Sequence, residues 1–217
     1  MRLKIVLVIL LVMLIAGLLV LTPVGNNIFG VGSISLPGLS SLINFGSQER
    51  FQMQLVANKD AFAGKAFEVT NTTVYVKGLC VGSVYVFGAN IAKEGRCDIS
   101  VENAKGKVEY SSIGTVEAAI EGGQVALDGS FISPANDRKV RFSIVPNELF
   151  ISNYNSNGVS LAAVTGEIRK FKSDGSQDQL KILTNEKVEI LGYIGNARLI
   201  NNDMVLSGFA SKVNWFS

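Results

Sequence analysis

Apolar and polar residues alternate with a period of two along most of this chain, and this pattern constrains the fold more than any other feature. The segment AKGKVEYSSIGTVEAAIEGGQVALDGSF, residues 104–131, shows it clearly. Apolar residues alternate there with glutamates: Val116, Ala118 and Ile120 with Glu117 and Glu121. Because successive side chains of a β-strand point to opposite faces, each such run predicts a strand with one buried face and one wet face.

Short turn signals separate the predicted strands. They are EGG at 121–123, LDGS at 127–130, SPAND at 133–137, NYNSNG at 153–158, SDGSQD at 173–178 and NND at 201–203. Connections this short favour antiparallel neighbours. The sequence therefore predicts an all-β domain of roughly a dozen strands between Glu49 and Phe216. We expect a long antiparallel meander, arranged as a sandwich, a jelly roll or a half-pipe.

The N-terminal segment predicts a transmembrane helix. Arg2 and Lys4 precede an apolar run from Ile5 to Leu21, and a helix of this length nearly spans a bilayer core. The preceding cations place the N-terminus in the cytoplasm and the rest of the chain outside. A cleaved signal peptide is the alternative, but the exit sequence VLTPVGNN has no good small-x-small cleavage site. We expect a retained single-pass anchor over residues 1–25.

Residues 26–47 form a predicted linker between this anchor and a β-domain over residues 48–217. The linker reads NNIFGVGSISLPGLSSLINFG from Asn26 and is rich in glycine, serine and bulky apolar residues. Pro37 is a suitable first residue for a short helix that ends near Gly46. Two interpretations are open: a juxtamembrane segment on the lipid surface, or a segment packed on the first strands.

One predicted strand region is apolar on both faces. It lies within TVYVKGLCVGSVYVFGANIA, residues 73–92. The residues concerned are Val84 and Val86 on one face and Tyr85, Phe87 and Ile91 on the other. Such a strand is either central in the core or adjoins a second apolar surface. The second interpretation predicts an apolar groove or partner contact formed by these residues.

The sequence predicts two covalent features. Cys80 and Cys97 are the only cysteines and lie in neighbouring predicted strands, so export to an oxidising compartment favours a disulfide between them. Two unlinked buried thiols are the alternative. Asn71-Thr72-Thr73 is the only N-x-S/T triplet, and Asn71 is a glycosylation acceptor if the source organism glycosylates exported proteins. A chance match is the alternative there.

Composition and motifs argue against several functional classes. The chain has no histidine, which removes the usual neutral-pH base and the commonest transition-metal ligand. Its net charge of +2 is dispersed, which argues against a nucleic-acid partner. No catalytic or phosphate-binding motif is present. Asp174 and Asp178 resemble half of a calcium loop but lack its later ligands. We expect no enzyme activity, no cofactor and no metal.

The C-terminal part adds a family resemblance. The segment KVEILGYIGNARLINNDMVLSGFASKV, residues 187–213, continues the glycine-punctuated β pattern. Together with the N-terminal anchor, this pattern resembles the exported lipid-handling β proteins of the LptC and AsmA type. The resemblance implies an open jelly roll or groove whose apolar interior carries acyl chains.

These observations predict a non-enzymatic, membrane-anchored extracytoplasmic β-domain. We expect it to act as an envelope scaffold or protein-binding module, with the lipid bilayer and an envelope protein as its partners. Strand addition at an open sheet edge is one way to bind such a protein. The alternative is a lipid or apolar-ligand binding or transfer protein with an open β groove. The sequence leaves the oligomeric state open.

Overall fold

The protein forms an all-β domain whose strands belong to one large antiparallel sheet. The computed structural model describes residues 49–134 and 136–215, which lie in a compact unit, Gln48–Ser217. The strands are β1 (Phe51–Asn58), β2 (Lys65–Cys80), β3 (Ser83–Val86), β4 (Ala89–Ala92), β5 (Gly95–Tyr110), β6 (Val116–Glu121), β7 (Gln124–Leu127), β8 (Ser130–Ile132), β9 (Lys139–Phe171), β10 (Gln177–Ile200), β11 (Asp203–Ala210) and β12 (Lys212–Val213). A short 3-10 helix, Lys59–Phe62, follows β1.

The strand order departs from a simple meander because β9 pairs with strands that are distant in sequence. β9 pairs with β1, β2, β3, β6 and β10. Two circuits of pairing result, and both return to β9. The first runs through β2, β5 and β6, and the second runs through β10, β11 and β1.

Asparagine bulges interrupt the long strands without exposing their apolar faces. Asn71, Asn103, Asn153 and Asn185 all have φ between 52° and 55°, the left-handed region that asparagine tolerates better than most residues. Around three of them, a buried residue lies two positions before and another lies one position after: Val69 and Thr72, Val101 and Ala104, Ile151 and Tyr154. Each bulge thus inserts an extra residue and keeps the inward face inside.

The NYNSNG segment was predicted as a turn, and this prediction is wrong. Residues 153–158 lie inside β9 and pair there with β10. The N–H of Asn153 donates to the side-chain oxygen of Asn196 at 3.2 Å. A single left-handed asparagine therefore produces a bulge here, and the strand continues beyond it. The other turn signals lie at strand ends or in the connections between strands.

Ala163 occupies the same kind of bulge as the asparagines, with φ of 56°, between the buried Leu161 and Val164. We expect Ala163→Asn to stabilise the protein by about 0.5–1 kcal/mol, because alanine is strained in the left-handed region. The reverse change, Asn153→Ala, should destabilise it by a similar amount. Urea unfolding of the detergent-purified full chain measures both. A lowered midpoint for Ala163→Asn would contradict this account.

The inward side chains form one contiguous apolar core. An aromatic group lies within it: Phe67 packs against Phe62 and Tyr154 with ring centroids 6.3 and 5.2 Å away, and Tyr154 packs against Tyr193. The hydroxyl of Tyr193 donates to the carbonyl of Asn196 at 2.8 Å. Burial raises the pKa of Tyr193 well above its usual value, so this tyrosine stays neutral and structural.

The prediction of a membrane-spanning helix falls on residues 1–25, which lie outside the described residues. Within residues 49–134 and 136–215, no helix is both long and apolar enough to cross a membrane.

Candidate functional site

A groove of about 510 Å³ lies on the outer face of the sheet, where β3, β4, β5, β6 and β9 run side by side. Its lining combines polar and charged residues with the apolar residues Val81, Ala118 and Phe142. The lining side chains include Ser83, Tyr85, Asn90, Lys107, Glu109, Glu117, Ala119, Arg141 and Ser143. We call this feature the outer groove.

Strand register brings the outer groove together from distant parts of the chain. Asn90 lies opposite Tyr85, and Tyr85 lies opposite Arg141. Arg141 lies opposite Ala119, which in turn lies opposite Lys107. Directly opposed residues share one face of a sheet. Ala119 has a small side chain and lies between the long side chains of Arg141 and Lys107. The difference in length produces the depression that forms the outer groove.

Tyr85 is held in a fixed position at one end of the groove. Its hydroxyl donates to Oδ2 of Asp137 at 2.6 Å. This hydrogen bond lowers the pKa of Asp137 and raises that of Tyr85. The guanidinium carbon of Arg141 lies 5.8 Å from the centre of the Tyr85 ring, within the range of a cation–π contact. The Tyr85 ring and the Arg141 guanidinium therefore form one continuous surface at this end of the outer groove.

Charges of both signs line the other end. Nζ of Lys107 contacts Oε2 of Glu109 at 2.5 Å, and this hydrogen bond raises the pKa of Lys107. Glu117 accepts a hydrogen bond from the hydroxyl of Thr115 at 3.3 Å. Within the described part of the chain, Arg141 has no carboxylate partner, so its charge is available to a ligand.

Exposed aliphatic residues border the outer groove. Leu79 and Val81 are each 50% exposed and Val145 is 42% exposed. Leu79 pairs directly with Val145, and the N–H of Val81 donates to the carbonyl of Ser143 at 2.8 Å. Val81 also lines the groove. We call Leu79, Val81 and Val145 the aliphatic rim.

The structure separates the residues that were predicted to form an apolar groove. Val84 and Val86 are 1% exposed and belong to the core. Phe87 and Ile91 are partly buried and pack against that core. Tyr85 faces the opposite way and lines the polar outer groove. The alternation of side chains along β3 therefore gives it one core face and one groove face.

The predicted disulfide between Cys80 and Cys97 is confirmed. Cys80 lies opposite Gly95, and Cys97 lies opposite Gly78, so the bond joins β2 and β5 diagonally. Asn71 is exposed at its bulge, which leaves its side chain accessible to solvent, and its glycosylation stays a prediction.

A second cavity, of about 310 Å³, lies near the disulfide. Its lining includes Lys77, Arg96, Asp98 and Asp128. Asp128 forms an ion pair with Lys93, and its other carboxylate oxygen accepts a hydrogen bond from the N–H of Asp98 at 3.0 Å. These contacts tie the β7–β8 turn to β5. In the described ranges, no three carboxylate or cysteine side chains are grouped to hold a metal ion.

Tyr85 was predicted to line an apolar groove, and the charged side chains that surround it in the outer groove were not predicted as part of a site. Glu117 was assigned to the wet face of its strand, and it does face outward. Arg141 and Lys107 gave no signal, because an outward charge in an alternating strand is typical of any half-exposed sheet.

Comparison with known proteins found no matching family model, curated protein or solved structure.

Proposed function

We propose that this protein is a non-enzymatic, membrane-anchored extracytoplasmic module that binds another protein of the cell envelope through the outer groove and the aliphatic rim. The observation that carries the proposal is the combination of Leu79, Val81 and Val145 with Tyr85 and Arg141 on one face. Clustered exposed apolar residues beside polar ones are typical of protein interaction sites.

The chemistry of the outer groove suits a protein partner. Tyrosine and arginine are enriched among the residues that contribute most to protein interfaces. Tyr85 is fixed by Asp137, and Arg141 lies against its ring, so little side-chain entropy remains to be lost on binding. Polar backbone and side-chain groups of a partner find both cations and carboxylates in the lining.

A lipid ligand is the alternative, and it needs an apolar channel. The side chains on the inner face of β3, Val84 and Val86, are buried in a contiguous core. The outer groove has several polar and charged side chains in its lining, among them Lys107, Glu117 and Arg141, and an acyl chain would leave these groups without hydrogen-bond partners. These two observations favour a protein over a lipid.

The cellular setting in the proposal comes from the N-terminal sequence. Cations before the apolar run, at Arg2 and Lys4, favour export of the β-domain. The Cys80–Cys97 disulfide suits an oxidising compartment outside the cytoplasm.

Site-specific photo-crosslinking in intact membranes tests the proposal. A photoreactive residue replaces Ala119 on the groove floor, and the matched control replaces Ala162, an exposed alanine of β9. We expect a discrete protein adduct from position 119 that position 162 does not give. Arg141→Glu should remove this adduct, because it deletes the cation and the contact with Tyr85.

Two outcomes would count against protein binding. Equal labelling from positions 119 and 162 would show that the outer groove has no specific occupant. An adduct whose mass matches a lipid would favour the lipid-binding alternative.

A further inference from the structure

β4 forms an open edge of the sheet. It pairs with β3 on one side, and no strand among the described residues pairs with its other side. Its sequence, Ala-Asn-Ile-Ala, carries no charge and no proline. An edge with these properties offers its backbone groups to another strand, because charges and prolines are the usual means of preventing such pairing.

Two other open edges of the sheet carry charges within the strand. One is β12, which contains Lys212. The portion of β10 before Glu189 holds Lys181, Glu186 and Lys187. The nearest cation to β4 along the chain is Lys93, whose ammonium group is held by Asp128. The β4 edge is therefore less protected than β12 and this part of β10.

The hairpin geometry determines which backbone groups of β4 face outward. Phe87 and Gly88 both have positive φ, 51° and 91°, as in a type I′ turn, so Val86 and Ala89 form the hydrogen-bonded pair that closes it. The N–H of Phe87 donates to the backbone carbonyl of Lys139 in β9 at 2.9 Å. By alternation, the N–H and C=O groups of Asn90 and Ala92 point away from β3.

Ile91 gives this edge an uncovered apolar side chain. It lies opposite the buried Val84 and packs against the core while remaining partly exposed. A strand added to β4 would cover the rest of this side chain.

We propose that the strand added to β4 is the β4 of a second copy of this chain, paired antiparallel about a two-fold axis at Ile91. In this register Asn90 lies opposite Ala92 of the other copy, and these residues exchange N–H···O bonds. Ile91 then faces its own counterpart in a non-hydrogen-bonded pair, where side chains are closest. A two-fold arrangement satisfies both edges at once and closes the assembly.

The choice of a second copy follows from the self-complementarity of this edge. Each copy supplies both an open edge and an uncharged strand that fits it, with the outward backbone groups in matching register. The paired segment is short, so we expect a reversible, concentration-dependent dimer and not a permanent one. Asn90 also lines the outer groove. Dimerisation therefore places two outer grooves on one continuous sheet, which would let the dimer bind a repeated partner bivalently.

Sedimentation velocity of the detergent-purified full chain tests the dimer. We expect a monomer–dimer equilibrium for the wild type and for Ala92→Ser. Ala92→Pro should be monomeric, because proline removes an outward N–H that the fold itself does not use. Ile91→Cys should form an intermolecular disulfide under mild oxidation, whereas Ser83→Cys, an exposed position in β3, should not. Thermal unfolding of each variant reports whether it is folded.

A wild type that remains monomeric at every concentration, or an Ala92→Pro variant that dimerises like the wild type, would overturn the inference. Neither result affects the groove proposal, since the adduct from position 119 is identified separately by the mass of the crosslinked partner. Conversely, loss of that adduct leaves the dimer measurement unchanged.

Discussion

Val86→Asp is expected to abolish the cooperative fold of the β-domain. Val86 is 1% exposed and faces the core, where an unpaired carboxylate costs several kcal/mol. Ordinary domains are stable by only about 5–15 kcal/mol. Circular dichroism of the detergent-purified full chain should show loss of the thermal unfolding transition, and neither the wild type nor the variant should bind a fluorescent fatty acid.

The neighbouring substitution Tyr85→Asp is the matched control. Tyr85 lines the outer groove, so a carboxylate there remains hydrated and the fold should persist. The variant should instead weaken the crosslinking adduct, because the contacts with Asp137 and Arg141 are lost. A Val86→Asp variant that stays folded and loses fatty-acid binding relative to a binding wild type would support a hollow, lipid-carrying interior.

The individual strands could be predicted because burial on one face leaves a local trace in the sequence. Val116, Ala118 and Ile120 were expected inside, with Glu117 and Glu121 outside. The structure places all five as expected. Such a pattern depends only on which face of one strand meets the core, so no knowledge of the neighbouring strands is needed.

The order of the strands in the sheet has no comparable local signature in the sequence. β1 pairs with both β9 and β11, although it is far from both in sequence. An alternating strand fits against any other, since hydrogen bonds between backbones carry little sequence information. Asparagine bulges added a second difficulty, because Asn153 inside a strand resembles a turn residue.

The outer groove could not be predicted for the same reason. Asn90, Arg141 and Lys107 lie on β4, β9 and β5. The register of these strands with β3 and β6, which lie between them, brings the three residues into one row. Each is an ordinary outward residue in its own strand. Only Tyr85 was marked by sequence, because its strand region is apolar on both faces.

Gly78→Ala is expected to destabilise the domain by about 3 kcal/mol or more, at the upper end of single-residue effects. Gly78 is buried in β2 where it crosses β9. A Cβ at this position would lie 2.0 Å from the carbonyl oxygen of Val145 and 2.9 Å from Cα of Pro146. Both are backbone atoms, so β2 and β9 would have to move apart. We expect a thermal midpoint lower by roughly 10 °C.

Gly158→Ala is the control, since it adds the same methyl group to another strand glycine. Its Cβ would meet the terminal methyl of Leu191 at 3.4 Å, and a flexible side chain can move, so the midpoint should change little. Equal effects of the two substitutions would contradict the close approach of β2 and β9. A large effect of Gly78→Ala alone would show that β2 and β9 are closely packed at Gly78.

Val81 and Tyr85 follow Gly78 along the same side of β9. Separation of β2 from β9 should therefore also displace one wall of the outer groove and weaken the crosslinking adduct from position 119.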